Sequence, residues 1–211
     1  MYKKILFIII TIFSLSSLSF CQTFGISGSK MWSNSSDLKN PIGFNILLSQ
    51  SIFKNGDIQL EYSYYQSKYS DLSSFSTGLN PTPGIDETIE NAAYLHSFEL
   101  YLQYRLIEIG LIDFSIGGGF TVINLNLLKD GLTTKKTSHF DDTRLGIIGA
   151  VIIETKESLL SPFSLYFVGK FKETKSFVVR TGGTTPFDSA IIYRTVQFGV
   201  KINLDKILNR I

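Results

Sequence analysis

The sequence predicts an all-β protein, an eight-stranded antiparallel up-and-down transmembrane β-barrel. Three observations carry that expectation. Hydrophobic residues make up 44% of the chain, yet beyond the N-terminal segment no run approaches the roughly 20 apolar residues that a spanning helix needs. The longest apolar block, 145–153, is interrupted by Gly146 and Gly149. Apolar and polar residues instead alternate with the period of two that a strand imposes. The alternating segments are joined in turn by tight links and by longer polar ones, the asymmetry of a barrel whose two ends face different compartments.

Residues 1–21 read as a secretory signal. Lys3 and Lys4 form a positive start, Ile5 to Phe13 an apolar run broken only by Thr11, and Ser19-Phe20-Cys21 places small residues for cleavage before Gln22. A retained anchor is too short to span. A lipoprotein acylated at Cys21 has Leu18 and Ser19 in its favour and bulky Phe20 against it. The expected mature domain is 22–211. The whole chain has 20 Lys+Arg and 18 Asp+Glu, and the signal removes two lysines and no acids, leaving 18 against 18. That balance points away from nucleic acid. The one cysteine leaves with the signal, which excludes a disulfide framework and a thiolate metal site.

The strands follow in order. The first, 23–32, sets Phe24, Ile26 and Trp32 against Gly25, Ser27 and Ser29, and a polar link 33–40 follows. The second, 42–53, sets Ile42, Phe44, Ile46 and Leu48 against Gly43, Asn45 and Ser49. Lys54-Asn55-Gly56 is expected as a three-residue turn, pairing Ile58 with Ile52, Tyr62 with Leu48 and Tyr64 with Ile46, with Glu61 facing Ser49. A long loop is expected over 70–91, with Pro81, Pro83 and Gly84.

The hairpin 98–120 is the clearest pattern in the chain. With Glu108-Ile109-Gly110 as a three-residue turn and Gly110 left-handed, Arg105 lies opposite Asp113, Gln103 opposite Ser115, Tyr101 opposite Gly117 and Glu99 opposite Gly119. Leu106, Tyr104, Leu102 and Phe98 then meet Ile112, Phe114, Ile116 and Phe120 on the other face. A second polar loop spans 129–141. The sixth strand, 144–154, alternates least clearly, because Ile148 and Ile152 fall on its polar face. After a short link, 155–162, the seventh strand sets Phe163, Leu165, Phe167 and Phe171 against Ser164, Tyr166, Lys170 and Lys172. A loop over 175–189 leads to the eighth, where Val196, Phe198, Val200, Ile202 and Leu204 alternate with Thr195, Gln197, Gly199, Lys201 and Asn203.

Aromatic residues gather near the strand ends: Phe24, Trp32, Phe53, Tyr62, Tyr64, Tyr94, Tyr104 and Phe114. Phe24 and Trp32 are about 26 Å apart along one strand face, a match for an apolar band about 25 Å tall between two aromatic girdles.

In this pattern the chain resembles the small eight-stranded outer-membrane β-barrels, similar to the OmpA transmembrane barrel and to the porin-like outer membrane protein beta-barrel domain families. The resemblance covers 22–204 and rests on segments such as Phe98-Glu99-Leu100-Tyr101-Leu102-Gln103-Tyr104-Arg105, Gly117-Gly118-Gly119-Phe120 and Gln197-Phe198-Gly199-Val200. It implies export to the cell outer membrane, surrounding lipid and the barrel assembly machinery as partners, and a monomer. Such barrels usually end on an aromatic residue, whereas the last strand here gives out near Leu204.

The inward polar face carries Glu61, Glu99, Arg105, Asp113, Arg144, Lys170 and Lys201. An eight-stranded barrel is just wide enough for side chains to fill it, so these are expected to form a packed, mutually neutralised interior, with Arg105 holding Asp113 and reaching Glu61. A small porin-like solute channel lined by the same residues is the alternative. A second alternative is a soluble exported lipocalin-like binder, with the apolar face turned inward around a hydrophobic ligand. Catalysis is not expected. Alternation sends His96 outward and Ser97 inward, so they cannot act as base and nucleophile. His139 with Asp141 and Asp142 is a possible metal cluster, though such a run is usually just solvated. No phosphate loop, zinc spacing or dinucleotide fingerprint is present, so no cofactor is expected. Gly117 to Gly119 is read as making room for Tyr101 and Glu99. The loop 70–91, with Asp71, Asp86, Glu87 and Glu90, reads as a solvated loop or a docking surface for a cationic partner.

Overall fold

The computed structural model describes residues 22–35, 38–75, 85–131, 137–156, 162–179 and 190–208; the expected signal segment 1–21 and the middles of the longer links lie outside the described residues. Among the described residues the chain forms β1 (Gln22–Ser33), β2 (Ile42–Phe53), β3 (Gly56–Phe75), β4 (Ile85–Ile109), β5 (Ile112–Gly131), β6 (Thr137–Thr155), β7 (Phe163–Val179) and β8 (Ile191–Asn203), followed by a short helix α1 (Leu204–Leu208). Each strand pairs with the next, and β8 pairs antiparallel with β1, so the sheet closes into a barrel and leaves no edge.

The direction of the two faces follows from burial. On β4, Leu102 is 52% exposed and its neighbour Gln103 only 2%. The same alternation holds on β8, where Phe198 is 61% exposed and Gln197 1%. Apolar side chains point out and polar ones point in, the arrangement of a barrel crossing lipid. This overturns the lipocalin-like alternative, which needs the apolar face inside.

Toward the long-link end the polarity reverses without any change of phase. Outward positions there are Gln66 and Lys68 on β3, Tyr94 on β4, Asn124 and Asn126 on β5, and Asp141 and Thr143 on β6. The inward positions form an apolar cluster of Met31, Tyr65, Ala93, Leu95, Ile123, Leu125, Leu127, Ile191 and Tyr193, which Leu38 joins from the β1–β2 link. The upper part of the barrel is therefore built like a water-soluble one, stacked on a membrane-type one. The reversal also explains where the expected strand limits fail. The expected loops 70–91 and 129–141 are strand over most of their length and 175–189 over its first five residues, because β3 runs to Phe75, β4 starts at Ile85, β5 runs to Gly131, β6 starts at Thr137 and β7 runs to Val179. Their outward polar residues resemble loop composition, but their backbones stay paired.

Both tight turns differ from expectation in the same way. Lys54 and Asn55 form a two-residue turn closed by Phe53 opposite Gly56, with a register shift between Ser51 and Phe53. Leu48 consequently faces Leu60, Ile46 faces Tyr62, and Glu61 faces Leu47. In the central hairpin Gly110 and Leu111 form the turn, with Gly110 at φ +59 in the first central position, as a type II′ turn requires. A bulge between Arg105 and Ile107 absorbs the remaining residue, so Arg105 faces Ser115, Gln103 faces Gly117, Tyr101 faces Gly119 and Glu99 faces Thr121. The pairing is two residues away from the expected one. An even shift preserves which face is inward, so the lumen keeps its expected polar set.

Gly119 is required by this pairing. A Cβ there would sit 2.1 Å from the carbonyl oxygen of Leu100 and 2.5 Å from the Cα of Tyr101. Gly117 and Gly119 thus make room for Tyr101, while Glu99 faces Thr121 instead.

Candidate functional site

The lumen is crossed by a network of ionised side chains. Glu61 on β3 and Glu99 on β4 lie directly opposite each other. Lys170, projecting from β7 on the other wall, places its Nζ 2.5 Å from Glu61 Oε2 and 2.8 Å from Glu99 Oε2. Lys172, one inward position along β7, forms a second ion pair with Glu99. Gln197 Nε2 on β8 donates to Glu61 Oε1 at 2.7 Å, Ser63 Oγ donates to the same oxygen at 3.0 Å, and Ser97 Oγ donates to Glu99 Oε1 at 3.0 Å. Tyr101 lies beneath, its hydroxyl 3.4 Å from Glu61 Oε2 and its ring centroid 4.9 Å from Lys170 Nζ. Each carboxylate thereby has charge-assisted partners, the condition for burying ions in a low-dielectric space.

Further pairs complete the lumen. Arg144 Nη1 donates to Asp142 Oδ2 at 2.7 Å, and its Nε donates to Thr174 Oγ1 at 3.3 Å. Lys201 pairs with Glu154 near the tight-turn mouth. Among the described residues the buried charges are four acids (Glu61, Glu99, Asp113, Asp142) and four bases (Arg144, Lys170, Lys172, Lys201), while Glu154 and Arg105, each paired with one of them, lie nearer the mouth.

Arg105 is not the centre of this network. Its Nε is 3.2 Å from Asp113 Oδ2, but its side chain is 36% exposed, at the tight-turn mouth. Arg105 faces Ser115 near the tight-turn end of β4, and the partner of Glu61 is Lys170. Of the seven expected interior residues, the structure joins Glu61, Glu99 and Lys170 in one cluster. It places Arg105 with Asp113, and leaves Arg144 and Lys201 in separate pairs. Lys172, Asp142, Glu154 and Gln197 were not among the expected set. Lys172 shares the inward face of Lys170 and was visible in the alternation. Asp142 falls between the expected loop 129–141 and the expected strand 144–154.

The His139, Asp141 and Asp142 run does not converge. His139 Nε2 lies 3.2 Å from Asp141 Oδ1 at an exposed site, while Asp142 turns inward to Arg144. His96 faces outward, its Nδ1 2.8 Å from the Tyr62 hydroxyl, and Ser97 is buried inside.

The lumen closes in layers. Below the ion network an apolar cluster of Leu47, Tyr101, Ile148, Ala150, Ile152, Tyr166 and Val168 fills the barrel. Ile148 and Ile152, out of pattern in the sequence, are part of this filling. Above it sits the apolar cluster of the long-link end. At the tight-turn mouth a cup of about 420 Å³, lined by Arg105, Asp113, Glu154, Lys201 and neighbours, opens outward. In the layer above, Glu61, Glu99, Tyr101 and Arg144 are 0–2% exposed.

No protein-family model matches the chain, and no curated protein matches it. Solved structures do resemble it. The attachment invasion locus protein Ail of Yersinia pestis, in complex with the heparin analogue sucrose octasulfate, superposes with a TM-score of 0.54 at 10% identity, covering 88% of this chain and 99% of that one. A second structure of Ail gives 0.53 at 9% identity over the same shares. Neisserial surface protein A is also similar, at 0.49 and 10% identity, covering 86% of this chain and 96% of that one. The fold is that of the eight-stranded outer-membrane β-barrels.

Proposed function

We propose that this chain is exported with loss of residues 1–21, inserted into the outer membrane by the barrel assembly machinery, and works there as a monomeric, non-enzymatic barrel. Its role is envelope structure or surface interaction, exercised by the rim at the long-link end. The observation that carries the reading is the filled lumen: an ion network linking opposite walls at Glu61, Glu99, Lys170 and Lys172, with an apolar layer on each side. Such an interior has the properties of a packed core and none of a hydrated conduit. The upper apolar cluster supports the surface role, because it carries paired strands beyond the apolar belt and gives the links a rigid base. Ail, an attachment protein by its name, has the same fold.

Planar bilayer recording of the purified barrel, beside detergent extraction and a heat-modifiable gel shift, tests this. The expected result is a heat-modifiable, detergent-extracted protein without steady single-channel conductance. Steady conductance would replace the filled barrel by the porin-like alternative.

A further inference from the structure

We propose that the outward seam between β8 and β1 is a binding site for the phosphate group of an outer-leaflet lipid, built from Lys30, Trp32 and Arg194. The inference rests on the membrane reading given above.

The register places the parts. Trp32 on β1 faces Arg194 on β8, and Lys30 faces Val196. All three side chains are on the outward face and exposed, Trp32 to 40%. Lys30 and Arg194 are thus diagonal neighbours across the seam, with Cβ atoms about 7–8 Å apart or somewhat less. Two such long side chains can close on one tetrahedral anion between them. Lys30 Nζ lies 5.4 Å from the Trp32 ring centroid, and Arg194 has the exposed ring of Phe171 as its neighbour on β7. Aromatic residues therefore stand at the pairing positions on both sides of Arg194.

The neighbourhood identifies the occupant. On the tight-turn side of the cations the outward residues are apolar and exposed: Ile26 at 53%, Val196 at 36% and Phe198 at 61%. The two cations are therefore the first charges above the apolar belt on these strands, and a tryptophan stands between them at the level such rings prefer. Among the described residues neither has a carboxylate partner; Glu173, diagonal to Arg194 on β7, forms no ion pair with it. Unpaired cations at the edge of hydrocarbon are stabilised by an anion fixed at that depth, and a guanidinium fork matches phosphate oxygens. The apolar flank formed by Val196, Phe171 and Ile42, the last 69% exposed, supplies acyl-chain contact. That selects a lipid phosphate over a free one.

The test uses the whole mature barrel. Flotation with vesicles first checks membrane insertion by itself. Native mass spectrometry from detergent then titrates phosphatidic acid against a diacylglycerol with the same chains. The wild type is expected to retain phosphatidic acid and not diacylglycerol. Lys30→Gln with Arg194→Gln should weaken retention about tenfold or more, a loss of about 1.4 kcal/mol. The charge-preserving pair Lys30→Arg with Arg194→Lys should retain it, which separates loss of the site from failure to fold. Lys68→Gln, an exposed outward lysine on β3 away from the seam, should behave as wild type. Equal retention by the Gln pair, equal weakening by Lys68→Gln, or displacement of the lipid by inorganic phosphate overturns the proposal. Normal flotation with no preference for phosphatidic acid sinks the lipid site alone, and failure to float sinks the membrane reading beneath it.

Discussion

Glu61 and Glu99 are direct cross-strand partners on β3 and β4, both buried, with one ammonium between them. Like charges directly opposite one another destabilise a sheet. Here the repulsion is offset by Lys170 reaching across from β7, so the pairing of two adjacent strands depends on a residue from the far wall. Lys172 reinforces it from the same side.

Removal of that ammonium should therefore be costly. Lys170→Met strands Glu61 and leaves Glu99 with Lys172, an expected loss of about 3–5 kcal/mol for a broken buried pair. Adding Glu61→Gln should recover part of it, since the lone charge is gone. Arg105→Met removes a half-exposed partner of Asp113 at the open mouth and should cost less than Lys170→Met. Urea unfolding in lipid vesicles, followed by the fluorescence of Trp32, the one tryptophan of the chain, gives the ranking. A larger cost at Arg105 than at Lys170 would contradict the network.

The two faces are distinguished by adjacent residues. Leu102→Arg puts a charge in the apolar belt and should cost about 2–4 kcal/mol, the range for midplane charges in such barrels. Gln103→Arg places its charge in the lumen beside Gln59, to which Gln103 is hydrogen-bonded, and should cost less. The same vesicle titrations decide it, and the reverse order would invert the barrel.

Orientation follows from the two ends. The long-link end should face the cell exterior and the turns at Asn55 and Gly110 the periplasm. Single cysteines at Ser70, on the upper part of β3, and at Asn55 should differ in labelling by an impermeant maleimide on intact cells, with only Ser70→Cys reacting. Labelling of both, or of Asn55→Cys alone, would reject the assignment.

Much of this was legible in the alternation. Ser97, Glu99 and Gln103 against Phe98, Leu100 and Leu102 specify a strand and its faces without help from the rest of the chain. What alternation could not supply is distance around the ring. Lys170 and Glu61 are 109 residues apart, and only closure of β8 on β1 with its stagger brings them together. The turns failed for a local reason: each bulge shows in the sequence only as two adjacent outward apolar residues beside the turn, Ile52 with Phe53 and Leu106 with Ile107, and a three-residue turn accounts for the same break in alternation. The strand extensions failed for a solvent reason. Asn124 and Asn126 face outward where water replaces lipid, and such residues in a paired strand have the composition of a loop.

The reversal of polarity along the barrel wall has a mechanical consequence. A barrel with a uniformly apolar coat can ride higher or lower in its bilayer at little cost. Here, rising would lift Phe98 and Phe120 into water, and sinking would drag Asn124, Asn126 and Tyr94 into hydrocarbon. The wall thus carries its own waterline, and its immersion is held from both directions. When bilayer thickness changes, the lipid must stretch or thin around the protein, at fractions of a kcal/mol for each ångström of mismatch, while the height at which the rim stands above the cell remains constant.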